Sequence, residues 1–228
     1  MTLHPDQVRE MFDRITPAYD RMNRVMSMGM DGGWRARAVR CAGLRPGDRA
    51  LDVCCGTGDL AIGLLEAVSP RGRVVGLDFS ERMLEAARAK SAQVRWVRGD
   101  ALDLPFAAGE FDAATVGFGV RNLADLERGF RELARVVRPG GRVVCLELTE
   151  PPRWVAPFAR LWTDRAVPLL GRVLARDAEA YRYLPASVHR FPPAAELAGV
   201  MRAAGLARVQ YRRLSGGAVA LHVGIVPA

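Results

Sequence analysis

A chain of 228 residues, half of them hydrophobic and a quarter charged, has the material for one folded domain built on a single core. No apolar run approaches the length of a membrane span, and the polar N-terminus, Met1 to Glu10, is unlike a signal peptide, which predicts a soluble, intracellular protein. The formal charge of +8 admits a nucleic acid or an anionic membrane as partner, but Lys90 is the one lysine, and so extreme an arginine bias weakens the case for any single arginine. With no basic block of five and no RNA-binding aromatic signature, nucleic acid is not expected.

In chain order, residues 1–45 read as helices broken at Pro17 and at Gly32-Gly33, forming a helical cap. Residues 46–150 alternate strand and helix. Strands are expected at Arg49–Cys54, Arg73–Asp78, Val94–Arg98, Phe111–Val116 and Arg142–Glu147. Helices are expected at Asp59–Ala67, after an N-cap at Ser80 with Met83, Leu84 and Ala87 on the apolar stripe, and at Leu126–Val137, stopped by Pro139-Gly140-Gly141. Residues 151–193 read as a helical insertion. Residues 194–228 read as a helix, Ala194–Ala204, and a hairpin of Ala207–Leu214 and Ala218–Val226 joined by Ser215-Gly216-Gly217. Seven strands in this order predict a mostly parallel α/β sheet with an antiparallel C-terminal hairpin.

Four cysteines, Cys41, Cys54, Cys55 and Cys145, form no CxxC pair, and no His/Cys group has zinc-ligand spacing. They read as small buried hydrophobes, and no metal is expected.

The sharpest local signal is Leu51-Asp52-Val53-Cys54-Cys55-Gly56-Thr57-Gly58-Asp59, where Gly56 and Gly58 let backbone approach a ligand at the carboxyl end of the first strand. Alone this also satisfies a dinucleotide fingerprint, which is weak evidence. Three carboxylates narrow it. Asp52 precedes the glycines. Asp78 closes the second strand, where it can accept two ribose hydroxyls. Asp100, in Gly99-Asp100-Ala101, can bond an adenine amine. An isolated Asp at a strand end is commonly a cap or turn former, and Asp103 and Asp112 are read that way. A pyrophosphate is expected to be repelled by Asp59, with nothing basic to offset it, whereas a cationic ligand without phosphate suits such a rim.

From Asp52 to Glu147 the spacing resembles the Rossmann-like S-adenosylmethionine methyltransferases. Further stretches narrow the resemblance: Phe12 to Ser27, with Tyr19-Asp20-Arg-Met22-Asn23, followed by Trp34; Gly117-Phe118-Gly119-Val120-Arg121-Asn122-Leu123; Arg138-Pro139-Gly140-Gly141-Arg142 with Leu146-Glu147-Leu148; and Pro168 through Ala180-Tyr181-Arg-Tyr183-Leu184-Pro185 to His222. Together they resemble the ubiquinone/menaquinone-biosynthesis C-methyltransferases over nearly the whole chain. One departure is Asp31, where that family usually has histidine.

The resemblance implies S-adenosylmethionine as methyl donor and a polyprenylated quinol as acceptor, most closely demethylmenaquinol, with the benzoquinol of the ubiquinone pathway as the alternative. It implies cofactor contacts at Asp52, Gly56, Thr57, Gly58, Asp78, Met83, Asp100, Ala101 and Gly117, and a catalytic group of Arg121, Asn122 and Tyr19. Arginine stays protonated, so Arg121 is expected to stabilise an oxyanion or place a water rather than act as a base. His222 is a secondary base candidate, with a structural histidine as the competing reading. Met22, Met26, Met28 and Met30 could line a prenyl tunnel, or simply pack. Trp154, Phe158, Leu161 and Trp162, with Arg153, Arg160 and Arg165 nearby, read as a helix face for a bilayer surface or a lid. The expected setting is cytoplasmic, with transient contact at the inner face of the membrane; a homodimer is also admitted. Another small-molecule methyltransferase, a nicotinamide-dependent dehydrogenase and a non-catalytic lipid- or protein-binding member of the fold are the other readings.

Overall fold

The computed structural model describes residues 4–151 and 178–228. Its cap is α1 (Pro5–Ile15), a 3-10 turn (Thr16–Ala18) holding Pro17, α2 (Tyr19–Met26) and α3 (Asp31–Ala42). The core comprises β1 (Arg49–Val53), α4 (Asp59–Val68), β2 (Arg73–Asp78), α5 (Glu81–Lys90), β3 (Arg95–Arg98), β4 (Phe111–Gly117), α6 (Leu126–Val136) and β5 (Val137–Leu148). The last elements are α7 (Ala178–Arg190), α8 (Ala194–Ala203), β6 (Ala207–Leu214) and β7 (Val219–Ile225).

The seven strands lie in the order β3-β2-β1-β4-β5-β7-β6. The first five are parallel, and β7 runs antiparallel to both β5 and β6. The expected hairpin closes through a short 3-10 turn at Ser215–Gly217. Because β2 and β4 flank β1 on opposite sides, the chain changes direction there, and a crevice opens beyond the carboxyl ends of β1 and β4.

Strand alternation decides which side chains reach which face. Leu51, Val53, Ala114 and Val116 pack with Phe130 and Leu133 of α6 and Leu197 and Met201 of α8. Ala50 and Ala113 pack on the other face with Ala38 and Ala42 of α3 and Leu60 and Leu64 of α4. Asp52 is in register with Thr115 and shares that second face, beneath α4.

Three expectations need correction. Gly32-Gly33 is no break: both lie in the first turn of α3, and the chain turns instead at Met28 and Gly29, with φ of +51° and +76°. Two glycines cost least in a first turn, where backbone N–H groups have no intrahelical partner to lose. Nor does Pro139-Gly140-Gly141 separate helix from strand. Val137 already pairs with Phe111, and the pairing resumes at Arg142 with Ala113, so the intervening residues bulge out of β5. Arg138 Nε, 2.6 Å from Asp112 Oδ1, pins the bulge, and a Cβ on Gly141 would meet the Asp112 carbonyl at 2.5 Å. Last, the four methionines share no one surface: Met22 and Met26 pack in the cap's apolar cluster with Val8 and Met11, while Met28 is 67% exposed. The expected face of Trp154, Phe158, Leu161 and Trp162 lies outside the described residues.

Candidate active site

A cavity of about 560 Å³ occupies the crevice beyond β1 and β4. Its walls come from the strand ends (Cys54, Gly56, Asp78, Gly117), from Met83 of α5, from Asp100 and Ala101 after β3, and from Asn122 after β4. The cap closes it with Val8, Arg9 and Phe12 of α1 and Tyr19 of α2. Of the twelve residues singled out from the sequence, Tyr19, Gly56, Asp78, Met83, Asp100, Ala101, Gly117 and Asn122 face this space, and Asp52, Thr57, Gly58 and Arg121 stand behind it.

Gly56 turns at φ +54° against the cavity, and the nearest atom to a Cβ there is a Tyr19 ring carbon at 3.7 Å. Its N–H donates to Asp78 Oδ2 at 2.8 Å, and the Ser80 N–H donates to Asp78 Oδ1 at 3.0 Å. Burial outweighs these bonds and raises the Asp78 carboxyl to about 6. Asp78 also lines the cavity, and a carboxylate there has the two acceptor oxygens a vicinal diol needs. Across the space the exposed Asp100 accepts from Leu102 N–H at 2.9 Å. Gly58 is left-handed at φ +89° and has Trp96 where a Cβ would stand, 2.4 Å from its ring.

Asp52 accepts from Thr115 Oγ1 at 2.7 Å, and its other oxygen is buried without a partner. Burial raises this carboxyl to about 7. Asp52 is not among the residues that line the cavity.

Arg121 follows β4 in a 3-10 turn, Val120–Asn122, and its Nη1 bonds Glu147 Oε1 at 2.9 Å and the Phe118 carbonyl. Only 8% of its side chain and 1% of that of Glu147 is exposed, so the charge is fixed in place. Burial pushes the Tyr19 phenol up, and Arg121 and a bond with Asn23 act in the opposite sense. Asn122 Oδ1 accepts from the Tyr183 hydroxyl at 3.1 Å.

A second network staples the cap to the glycine loop. Lys90 Nζ lies 2.6 Å from both Asp20 Oδ2 and Asp59 Oδ1 and 3.0 Å from Thr57 Oγ1, while Thr57 donates to Asp20 at 2.5 Å. Ser80, the expected N-cap of α5, accepts from Met83 N–H and donates to Asp13 of α1 at 2.5 Å. Asp59 is therefore not unopposed, as the sequence suggested. Lys90 and Arg35 both face it, and the case against a pyrophosphate cannot rest on its charge.

Asp31, the departure from the family pattern, starts α3. Burial works against its charge, yet Arg35 and Ser27 hold it below the usual carboxylate range. His222 is fully buried, bonds the Ala194 carbonyl through Nε2 at 2.8 Å, and lies outside the cavity; burial lowers its pKa, and it reads as structural. Burial also pushes the Cys54 thiol well up, so it stays protonated beside the cavity.

Three residues of the site were not assigned roles from sequence. Glu147 sits in the apolar run Val143–Leu148, and an acid there signals a buried cation partner. Tyr183 comes from an element whose proximity no local pattern reveals. Lys90 stands 31 residues from Asp59 and 70 from Asp20, so no local pattern joins it to them.

Comparison with known proteins agrees with this architecture. The chain is similar in fold to the cyclase SpnF (TM-score 0.74, 18% identity, covering all of this chain and 98% of that one). It is also similar to an S-adenosylmethionine-dependent methyltransferase from Thermotoga maritima (TM-score 0.67, 22% identity, 95% and 98% covered). At such identities these show the fold alone. In sequence it is 42% identical over 224 residues to demethylmenaquinone methyltransferase of Staphylococcus aureus, covering 96% of this chain and 92% of that protein. The model of the ubiE/COQ5 methyltransferase family matches residues 1–226, from the cap that closes the cavity to the last strand of the sheet. This chain belongs to the ubiE/COQ5 methyltransferase family.

Proposed function

We propose that the protein transfers a methyl group from S-adenosylmethionine to a ring carbon of a polyprenylated quinol, converting demethylmenaquinol to menaquinol. The observation that carries this reading is the kinship with the Staphylococcus aureus enzyme, which spans nearly all of both chains. The cavity supports it. Asp78, Asp100, Ala101, Met83, Gly56 and Gly117 all line the cavity; in this reading Asp78 takes the ribose hydroxyls and Asp100 and Ala101 the adenine. Asp52, Thr57 and Gly58 act by holding the loop from behind.

When bound, the donor supplies an electrophilic methyl group on a sulfonium. Transfer to the ring carbon would break the methyl–sulfur bond and leave S-adenosylhomocysteine, with the ring C–H proton lost and the ring hydroxyl kept in the product, so that one proton is released overall. The protein's task is to align the ring and stabilise the ring oxygen, and alignment in a closed site can account for roughly 7–11 kcal/mol. Tyr19 and Asn122 line the cavity and are the groups to meet that oxygen, and Arg121, paired with Glu147, sets a fixed positive charge behind them.

A prenyl tail and a charge of +8 also favour transient, salt-sensitive contact with anionic membrane. The experiment that tests the function is incubation with methyl-labelled S-adenosylmethionine and two reduced acceptors, demethylmenaquinol and its benzoquinol counterpart. Label is expected as a ring C-methyl in the naphthoquinol. Label in the benzoquinol alone would move the protein to the other pathway, and no label in either, with the donor still bound, would discard the quinol.

A further inference from the structure

The Tyr183 hydroxyl donates to Asn122 Oδ1 across 3.1 Å, and Asn122 is a wall of the cavity. A primary amide has one acceptor end and one donor end of nearly equal shape. A bond made to its oxygen from α7 leaves the Nδ2 hydrogens as the group available to the cavity. Without that bond the amide is free to turn over and present oxygen, which repels a developing anion where N–H attracts it.

We propose that Tyr183 is a positioning residue that fixes Asn122 as a hydrogen-bond donor toward the ring oxygen of the quinol. This rests on the reading of the protein as a quinol methyltransferase and adds to it a group from the far end of the chain. The surroundings suit the role. Tyr183 packs in an apolar cluster with Val8, Met11 and Phe12 of α1 and with Tyr19 of α2. Among the described residues, the charged groups facing it are Arg121, itself tied to Glu147, and Arg190 of α7, whose guanidinium carbon lies 6.0 Å from its ring centre. Burial raises the phenol, with both arginines acting against it, so the hydroxyl stays protonated and remains a donor throughout the working range. The arrangement forms a chain in which α7 holds Asn122 and Asn122 holds the substrate oxygen.

The test is Tyr183→Phe, which removes one oxygen and keeps the ring. Turnover of labelled donor and demethylmenaquinol is followed anaerobically from pH 6 to 10 in both proteins. At pH 7 kcat is expected to fall about 10- to 100-fold, less than the loss on deleting an oxyanion donor outright. The KM for S-adenosylmethionine stays unchanged. The deficit closes as pH rises, because a quinol ionised by the medium no longer needs the donor. Wild-type kcat throughout, an equal loss at every pH, or a loss matched by a rise in donor KM would each overturn the inference. A second readout needs no turnover: the Asn122 side-chain amide ¹H–¹⁵N resonances, assigned by their absence in Asn122→Asp, are expected to shift in Tyr183→Phe. Unmoved resonances would overturn the inference whichever acceptor the enzyme uses, whereas an inactive wild type with shifted resonances would fault only the choice of quinol.

Discussion

Cys54 and Gly119 face each other beyond the ends of β1 and β4, so closely that a Cβ on Gly119 would lie 2.4 Å from that of Cys54. Cys54 holds a left-handed φ of +54°, which places its Cβ toward β4 beside the cavity. The two strand ends are thus fitted to one another, and the loop carrying Asn122 depends on the fit.

Replacing Gly119 by alanine is therefore expected to destabilise the protein by about 1–3 kcal/mol, the usual cost of overpacking. Cys54→Gly in the same chain removes the opposing Cβ and suits the left-handed backbone. Thermal unfolding of the single and double variants checks this: the double variant should recover most of the loss, and additive losses would mean that the two residues are not coupled.

Acid–base behaviour gives a second expectation. The Asp52 carboxyl, raised to about 7 by burial, keeps a proton in the folded state that the unfolded chain releases near pH 4. Stability must then fall as pH rises from about 4 to about 7, by an amount on the order of 4 kcal/mol if the whole shift is expressed. Asp52→Asn removes this dependence, leaving the smaller one of Asp78. Melting temperature against pH should be flatter in the variant, and the variant should be the more stable protein at pH 8; equal slopes would show that Asp52 does not bind that proton.

The ion pair behind the cavity separates folding from chemistry. Arg121→Ala alone strands the buried Glu147 charge, a loss of about 3–5 kcal/mol. Adding Glu147→Gln should restore most of the stability and none of the turnover. If the double variant turns over normally, Arg121 serves the fold alone.

The amino-acid order made the sheet legible because its strands are short β-branched runs set between capped helices, and Ser80 announced the start of α5 through its own hydroxyl. It made the carboxylates at the strand ends legible too, since their position follows from topology. It did not reveal which side of β1 Asp52 faces, because burial on both faces hides the alternation. It misjudged Asp59, whose partners Lys90 and Arg35 arrive from helices 31 and 24 residues away. Gly32-Gly33 misled because propensity describes helix interiors, not first turns.

Lys90 is the expected mainstay of the cap. Lys90→Met should loosen α2 by roughly 1 kcal/mol, seen as faster amide exchange around Tyr19, and raise the KM for S-adenosylmethionine several-fold, with Lys90→Arg intermediate. Because the bonds are ionic and partly exposed, the gap between variant and wild type should narrow in about 1 M salt. Unchanged exchange would assign the cap's closure to its apolar contacts.

The rarity of that lysine has a practical side. It carries the one side-chain ammonium in the sequence, and that group is committed to Asp20, Asp59 and Thr57. Acylating reagents, amine-coupled surfaces and lysine crosslinkers thus meet a protein with almost nothing to grip. Where they do react at Lys90, they cut the tie between the cap and the loop beneath it, so a fluorophore or bead attached there would alter the site it was meant to observe.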